Sequence, residues 1–211
     1  MSVEARLRRI AEKRYIGPSE SFDHVHVGLL IYYLGEHAPK SRSQIAKFLG
    51  LGEGSVRTIL KRLAGASLIK VTKEGAFLSD RGSELFKELK SMFPVITEGS
   101  RGLLSLNGFT VIVLAKSMEG KVSRGIEQRD MAIRYGAKGA MTLTYRNGHF
   151  EIPGEAGDCE TLFPSGDWSR IRGSVHPEDG DVILVCGSDK IQNAYLGCFS
   201  AALTLLRSNH T

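Results

Sequence analysis

The stretch SRSQIAKFLGLGEGSVRTILKRLAGASLIK, Ser41 to Lys70, allows few folds, because its apolar residues keep a helical period twice with a glycine-rich break between. Ser41 and Gln44 have the spacing of a capping box, in which the hydroxyl accepts from an orphan N–H of the first turn and the amide reaches back. Ile45, Ala46, Phe48 and Leu49 then form an inward face, Gly50 ends the helix, and Leu51 plugs the turn. A second helix is predicted from Glu53, with Gly52 at the cap position and Val56, Ile59, Leu60 and Leu63 turned inward. At Leu68 the period changes from helical to alternating: LIKVTKEGAFLS reads as a short hairpin that turns at Gly75. DRGSELFKELKSMF resumes the helical period, with Leu85, Phe86 and Leu89 inward.

Two helices are predicted upstream. One is an amphipathic helix from Val3 to about Arg14, broken by GPSES at Gly17–Ser21; the other runs from about Asp23 to Glu36 and is apolar around most of its surface. Downstream of Pro94 the composition changes, and VITEGSRG reads as a linker. The expected organisation is therefore a first domain over 1–96, a linker over 97–102 and a second domain over 103–211. The second domain reads as strand Phe109–Ala115, helix Ser123–Tyr135, strand Ala140–Tyr145, a turn at Asn147–Gly148, strand Phe150–Ile152, strand Asp181–Cys186 and a helix from Lys190 to Leu206. The expected class is α+β overall, the second domain being a small α/β sheet with helices on one face.

Charge separates the two halves. Residues 1–98 hold 16 Lys or Arg against 11 Asp or Glu, whereas residues 99–211 hold 12 of each, so the whole formal excess of +5 lies in the first half. An anionic partner is expected to dock there. The longest apolar runs fall far short of the ~20 residues a membrane helix needs, and the first residues have no apolar signal core. A cytoplasmic protein with no membrane partner is expected. Cys159, Cys186 and Cys198 are odd in number and form no C-x-x-C, which predicts reduced structural thiols and no metal or cofactor.

A helix placed in the major groove with its first turns against base edges is the commonest way to read duplex sequence. Here that helix would offer Glu53, Ser55, Arg57, Thr58 and Lys61, Arg57 suiting a guanine edge or a phosphate and Glu53 a cytosine amine. Gly54 presents no side chain and allows close approach. Lys40, Arg42 and Lys47 belong where the preceding helix would cross the backbone, and Lys70 and Lys73 of the hairpin would reach phosphates or the minor groove. From Lys40 to Lys90 there are 11 basic and 5 acidic residues. Ordinary solvated charge and a protein-binding role for the same domain are the competing readings.

The run from Ser41 through SDRGSELFKEL resembles the winged helix-turn-helix domains of prokaryotic transcriptional regulators, with LAGASLI closing the second helix of the motif and LSDRGSELF opening the helix after the hairpin. That resemblance implies a recognition helix, double-stranded DNA as partner, and a homodimer on two half-sites. The whole chain resembles an archaeal family in which such a domain precedes a C-terminal domain of unknown function; GIEQRDMAIRYGAKGAMTL, HPEDGDVILVCG and NAYLGCFSAALTLL carry the likeness. Some archaeal regulators fuse a reading domain of this kind to an enzyme, which keeps catalysis in the second domain open.

In that second domain Arg124, Glu127, Arg129, Asp130 and Asp158 are the candidate ligand-binding residues, Glu127 and Asp130 being neighbours at three-residue spacing on the expected helix; surface ion pairing is the competing account. No catalytic residue is assigned. No phosphate loop, nucleophile elbow, zinc-protease motif or dinucleotide fingerprint occurs, and nothing in the sequence brings Asp158, Cys159 and His176 together. His24 and His26 point in different directions on a helix. Ala194, Gly197, Ala201 and Ala202 make one side of the last helix small, for an intradomain or a dimer contact. Three functions follow: a homodimeric DNA-binding transcriptional regulator whose second domain senses a small-molecule effector or mediates assembly, an enzyme autoregulated by its first domain, or a protein-interaction module.

Overall fold

The computed structural model describes residues 2–12, 21–155 and 157–207. The expected helix end at Arg14 and the break over 17–20 lie outside the described residues. The chain divides into two compact units, Met1–Lys90 and Ser91–Thr211.

In the first unit the described helices are α1 (Val3–Ala11), α2 (His24–His37), α3 (Arg42–Leu49) and α4 (Glu53–Gly65), followed by the hairpin strands β1 (Ile69–Val71) and β2 (Ala76–Leu78) and by α5 (Asp80–Met92), whose last two residues enter the second unit. α2 starts at Asp23, whose carboxylate accepts from the N–H groups of Val25 and His26, and Val25, Val27, Leu29, Leu30, Ile31 and Leu34 bury it on most sides. α3 carries the expected box: Gln44 N–H donates to Ser41 Oγ at 3.3 Å, and Ser41 N–H donates to Gln44 Oε1 at 2.9 Å. Gly50 then takes a left-handed φ of 66° that ends α3, and Leu51 N–H bonds back to the Ala46 carbonyl. α4 follows from Gly52, which is extended and supplies no side-chain cap. Val56, Ile59, Leu60 and Leu63 of α4 are all buried, and each such side chain contributes about 1.5–3 kcal/mol.

The hairpin pairs Ile69 with Leu78 and Val71 with Ala76. Lys40 joins it from outside the named strands, donating to the Ala76 carbonyl and accepting from the Ala76 N–H at 3.0 and 2.8 Å. Nothing in the sequence pattern foretold this contact. It is possible because Gly75 has φ +137° and no Cβ; a Cβ there would lie 2.6 Å from the Lys40 backbone.

The second unit is one antiparallel sheet of order β3-β4-β7-β5-β6, built from β3 (Val95–Gly99), β4 (Phe109–Ala115), β5 (Gly139–Arg146), β6 (His149–Glu151) and β7 (Val182–Ser188). Its helices are α6 (Ile126–Arg134), α7 (Cys159–Leu162), α8 (Asp167–Val175) and α9 (Ile191–Thr204). Two expectations are corrected. Residues 97–99, assigned to a linker over 97–102, belong to β3, which pairs with β4 from Val95↔Leu114 to Gly99↔Thr110; the unpaired edge of β4 recruits the β-branched Val95, Ile96 and Thr97. Helices also cover both faces of the sheet rather than one. Ile112, Leu114, Ile183 and Val185 face Trp168, Ile171 and Val175 of α8 and Cys159 of α7, whereas the Cys198 thiol of α9 lies against the Val111 and Leu184 carbonyls on the other side. β4 and β7 are apolar at nearly every position, which suits strands buried on both faces.

The small side of α9 is an intradomain seat. A Cβ on Gly197 would lie 2.8 Å from Ala137 Cβ and 3.0 Å from the Ala132 carbonyl oxygen, so α9 meets the end of α6 at close range.

Gly75→Ala is expected to destabilise the first unit by about 2 kcal/mol or more, since the new methyl must displace the Lys40 backbone and adopt a disfavoured φ. Leu63→Ala should cost about 2–5 kcal/mol. Urea unfolding followed by circular dichroism measures both.

Candidate nucleic-acid interface

The buried stripe of α4 fixes the rotation of that helix and therefore what it shows to solvent. Arg57 and Lys61, one turn apart, are exposed, and with Leu60 and Ala64 they form one wall of a groove of about 520 Å³. Val71, Thr72 and Lys73 of the hairpin form the opposite wall, and Lys40, Ser41 and Arg42 close one end. The groove thus joins Lys40, Arg42, Arg57, Lys61 and Lys73 from three separate segments. Among the described residues, no carboxylate pairs with Arg42, Arg57, Lys61 or Lys73. Lys40 Nζ lies 5.5 Å from the centre of the Tyr33 ring, which holds its ammonium at the rim.

The other expected contact residues lie outside the groove lining. Glu53 is exposed on the first turn of α4, and Lys47 is exposed on α3. Ser55 is half-buried, and the Thr58 hydroxyl donates to the Gly54 carbonyl at 3.1 Å, so it is engaged within its own helix. Lys70 is exposed on β1, but strand alternation points it away from Val71 and Lys73. Val71, 57 % exposed, had no functional assignment. Its signal was available in LIKV, where an apolar residue continues the alternation one step beyond the buried Ile69.

Of the candidate ligand residues of the second unit, Glu127 and Asp130 line one recess together with Arg134 and Arg207, and Arg124, Arg129 and Asp158 do not join them. α6 begins at Ile126 rather than Ser123 because Gly125, at φ +72°, occupies the cap. Arg124 therefore precedes the helix and does not share its face with Glu127 and Asp130. Arg129 pairs with its neighbour Asp130 at 3.1 Å, and Glu127 accepts from Arg207 at 3.0 Å. These are the exposed ion pairs that the competing account anticipated. Asp158 belongs to the opposite face of the sheet, where it caps α7 by accepting from Glu160 N–H and Thr161 Oγ1 at 2.9 and 2.7 Å. Those hydrogen bonds, that of Thr161 foremost, hold its carboxyl below the usual carboxylate range.

Two polar centres escaped the sequence reading, the buried Asp181 and the partly exposed Arg172. Asp181, with no exposed surface, accepts from Ser117 N–H, Glu178 N–H and Lys116 Nζ at 2.8, 2.9 and 3.3 Å. Arg172 lies over the Tyr145 and Phe150 rings and donates to Tyr145 Oη, Glu160 and the Gly148 carbonyl. Both tie loops to the sheet. Cys159 is buried and burial pushes its thiol up, which disfavours the thiolate a nucleophile needs; His176 stands exposed at the end of α8. Among the described residues, no group of three or more His, Cys, Asp or Glu is placed to hold a metal ion, and no helix is long and apolar enough to cross a membrane.

The comparisons with known proteins divide the chain in the same way. Residues 29–84, from α2 into the first turns of α5, match the family model described as PH0730-like, N-terminal domain, and residues 106–205 match a domain of unknown function, DUF4443. Each unit is thus similar to a different family model, and neither model spans the whole chain. The structure of the hypothetical protein PH0730 from Pyrococcus horikoshii OT3 is similar, with 29% sequence identity and a TM-score of 0.72 over 89% of this chain and 95% of that one. This relative supports the archaeal character expected from the sequence. No curated protein matches the chain. The segment matched by the PH0730-like model contains every lining residue of the groove, Lys40 to Ala76.

Cys159 and Cys198 both have thiols raised by burial, Cys198 well above the usual value, so thiolate should be scarce at pH 8. Iodoacetamide is expected to leave both unmodified in the folded protein and to label them in denaturant, as read by intact and peptide mass spectrometry.

Proposed function

We propose that the first unit is a winged helix-turn-helix module that binds double-stranded DNA, with α4 as its recognition helix and the β1–β2 hairpin as its wing. The convergence of Lys40, Arg42, Arg57, Lys61 and Lys73 on one groove is the observation that carries this reading. None of the five has a carboxylate partner among the described residues, so their charge is available to phosphates without first breaking an ion pair. α4 presents Arg57 and Lys61 on the side opposite its core stripe, which is how a helix in a major groove must be mounted. The first unit holds 16 Lys or Arg against 10 Asp or Glu, and the second 12 against 13, so attraction to a polyanion is confined to the first.

In this reading the chain is a transcriptional regulator acting as a homodimer in the cytoplasm. Two copies would present recognition helices about 34 Å apart, or a multiple of it, to successive major-groove faces. The second unit serves effector sensing or assembly. An effector acts there only if it binds the DNA-competent and incompetent arrangements with different affinity.

The Arg57→Gln/Lys61→Gln protein tests the assignment directly. Its affinity for labelled duplex DNA should fall by about tenfold or more at low salt, and the slope of log K against log salt should shrink by about 2, as phosphate contacts are lost. Fluorescence anisotropy measures both quantities, and unchanged binding by a folded variant would reject α4 as the DNA-facing helix.

A further inference from the structure

A second recess in the first unit has a different composition from the groove and lies on another side of α4. It has a volume of about 460 Å³, and its lining includes Arg6 and Arg9 of α1, Arg62 of α4, and Arg81 and Glu84 of α5. Four guanidinium groups therefore meet around one cavity against a single lining carboxylate. Such a cluster repels itself unless an anion shares it.

Two of the four are held in place by other groups. Arg6 pairs through Nη2 with Glu88, and Arg62 Nη1 donates to the Ala11 carbonyl while its guanidinium lies 5.1 Å from the centre of the Phe22 ring. Arg6 Nε is nonetheless buried with no hydrogen-bond partner, a donor whose desolvation is uncompensated. Arg9 and Arg81 are exposed and, among the described residues, pair with no carboxylate. The end of α4 does not explain the cluster, because its last carbonyls are already satisfied: Ala66, Ser67 and Leu68 N–H bond back to Arg62, Ala64 and Leu63. α5 contributes a favourable end, since its first turn, capped by Ser79 Oγ on Gly82 N–H, faces the cavity through Arg81.

We infer that this recess binds a small polyanion carrying adjacent phosphoryl groups. Planar guanidinium forks suit phosphoryl oxygens, and several converging from three helices select for multiple charges over one. The volume exceeds what a lone phosphate fills and lies in the range of small-ligand pockets, so an organic body attached to the phosphoryl groups is accommodated. The site does not depend on the DNA reading, because none of its arginines lines the groove beside the hairpin.

Isothermal titration of the full chain, without DNA, with inorganic pyrophosphate and with ADP tests this. Saturable binding at one site per chain is expected, weakened about tenfold or more in Arg9→Gln/Arg81→Gln, whose exposed positions leave the core intact. Arg57→Gln/Lys61→Gln should bind both probes like the parent protein. Absence of saturable binding by the parent protein would overturn the proposal, as would equal affinity in Arg9→Gln/Arg81→Gln. Probe binding lost only in Arg57→Gln/Lys61→Gln would also overturn it, by assigning the anion to the groove. If Arg9→Gln/Arg81→Gln weakened duplex DNA binding while leaving probe affinity unchanged, the recess would be part of a DNA track and the small-ligand site would be rejected.

Discussion

The burial of Val56, Ile59, Leu60 and Leu63 along one side of α4 governs the first unit, because it sets the rotation of the helix on which both cationic surfaces depend. A helix turns about 100° per residue, so once four apolar side chains are committed to the core the direction of every other position follows. Arg57 and Lys61 are carried to the groove beside the hairpin, and Arg62 to the recess beside α1 and α5. Neither surface costs the core a buried charge. Changing the rotation by one residue would bury a guanidinium or expose a leucine, each opposed by several kcal/mol.

The groove needs a second constraint, which is the close meeting of Lys40 with the hairpin. Two backbone hydrogen bonds tie Lys40 to Ala76, and the absent Cβ of Gly75 leaves room for them. This pins the segment that leads into α3 against the strand that carries the opposite wall, and it brings Lys40 and Arg42 to one cavity with Lys73, which lies far along the chain. In the second unit the equivalent ties are polar. Buried Asp181 gathers Ser117, Glu178 and Lys116 onto one carboxylate, while Arg172 binds the β5–β6 turn and α7 through Tyr145, Gly148 and Glu160. Saturated in this way, these groups hold loops to a sheet that is covered on both faces.

Local signals were legible wherever a residue acts on its near neighbours. The Ser41–Gln44 capping box, the Gly50 stop, the α4 stripe and the turn at Gly75 were all readable, since each depends on spacings of a few residues. The strand β3 was read as a linker because its glycine and polar content resembles one, and only the open edge of β4 makes it a strand. Helices on both faces of the sheet were likewise missed, although the uninterrupted apolar runs of β4 and β7 carried that information. Among the proposed DNA contacts, five of ten meet at the groove. The other five lie outside its lining, and for Lys70, Ser55 and Thr58 helix angle and strand alternation set the direction of the side chain, which charge alone does not reveal.

The amino-acid sequence by itself determined the order of the elements, the division of charge between the halves and the identity of the core stripe on α4. These follow from composition and from periods that repeat over one or two turns. Tertiary structure alone decided that five cations share a groove, that four arginines share a recess, and that the candidate ligand residues of the second unit scatter across two faces of a sheet. Such convergence joins residues separated by tens of positions, and their distances are set by how helices and strands pack, which no local spacing encodes.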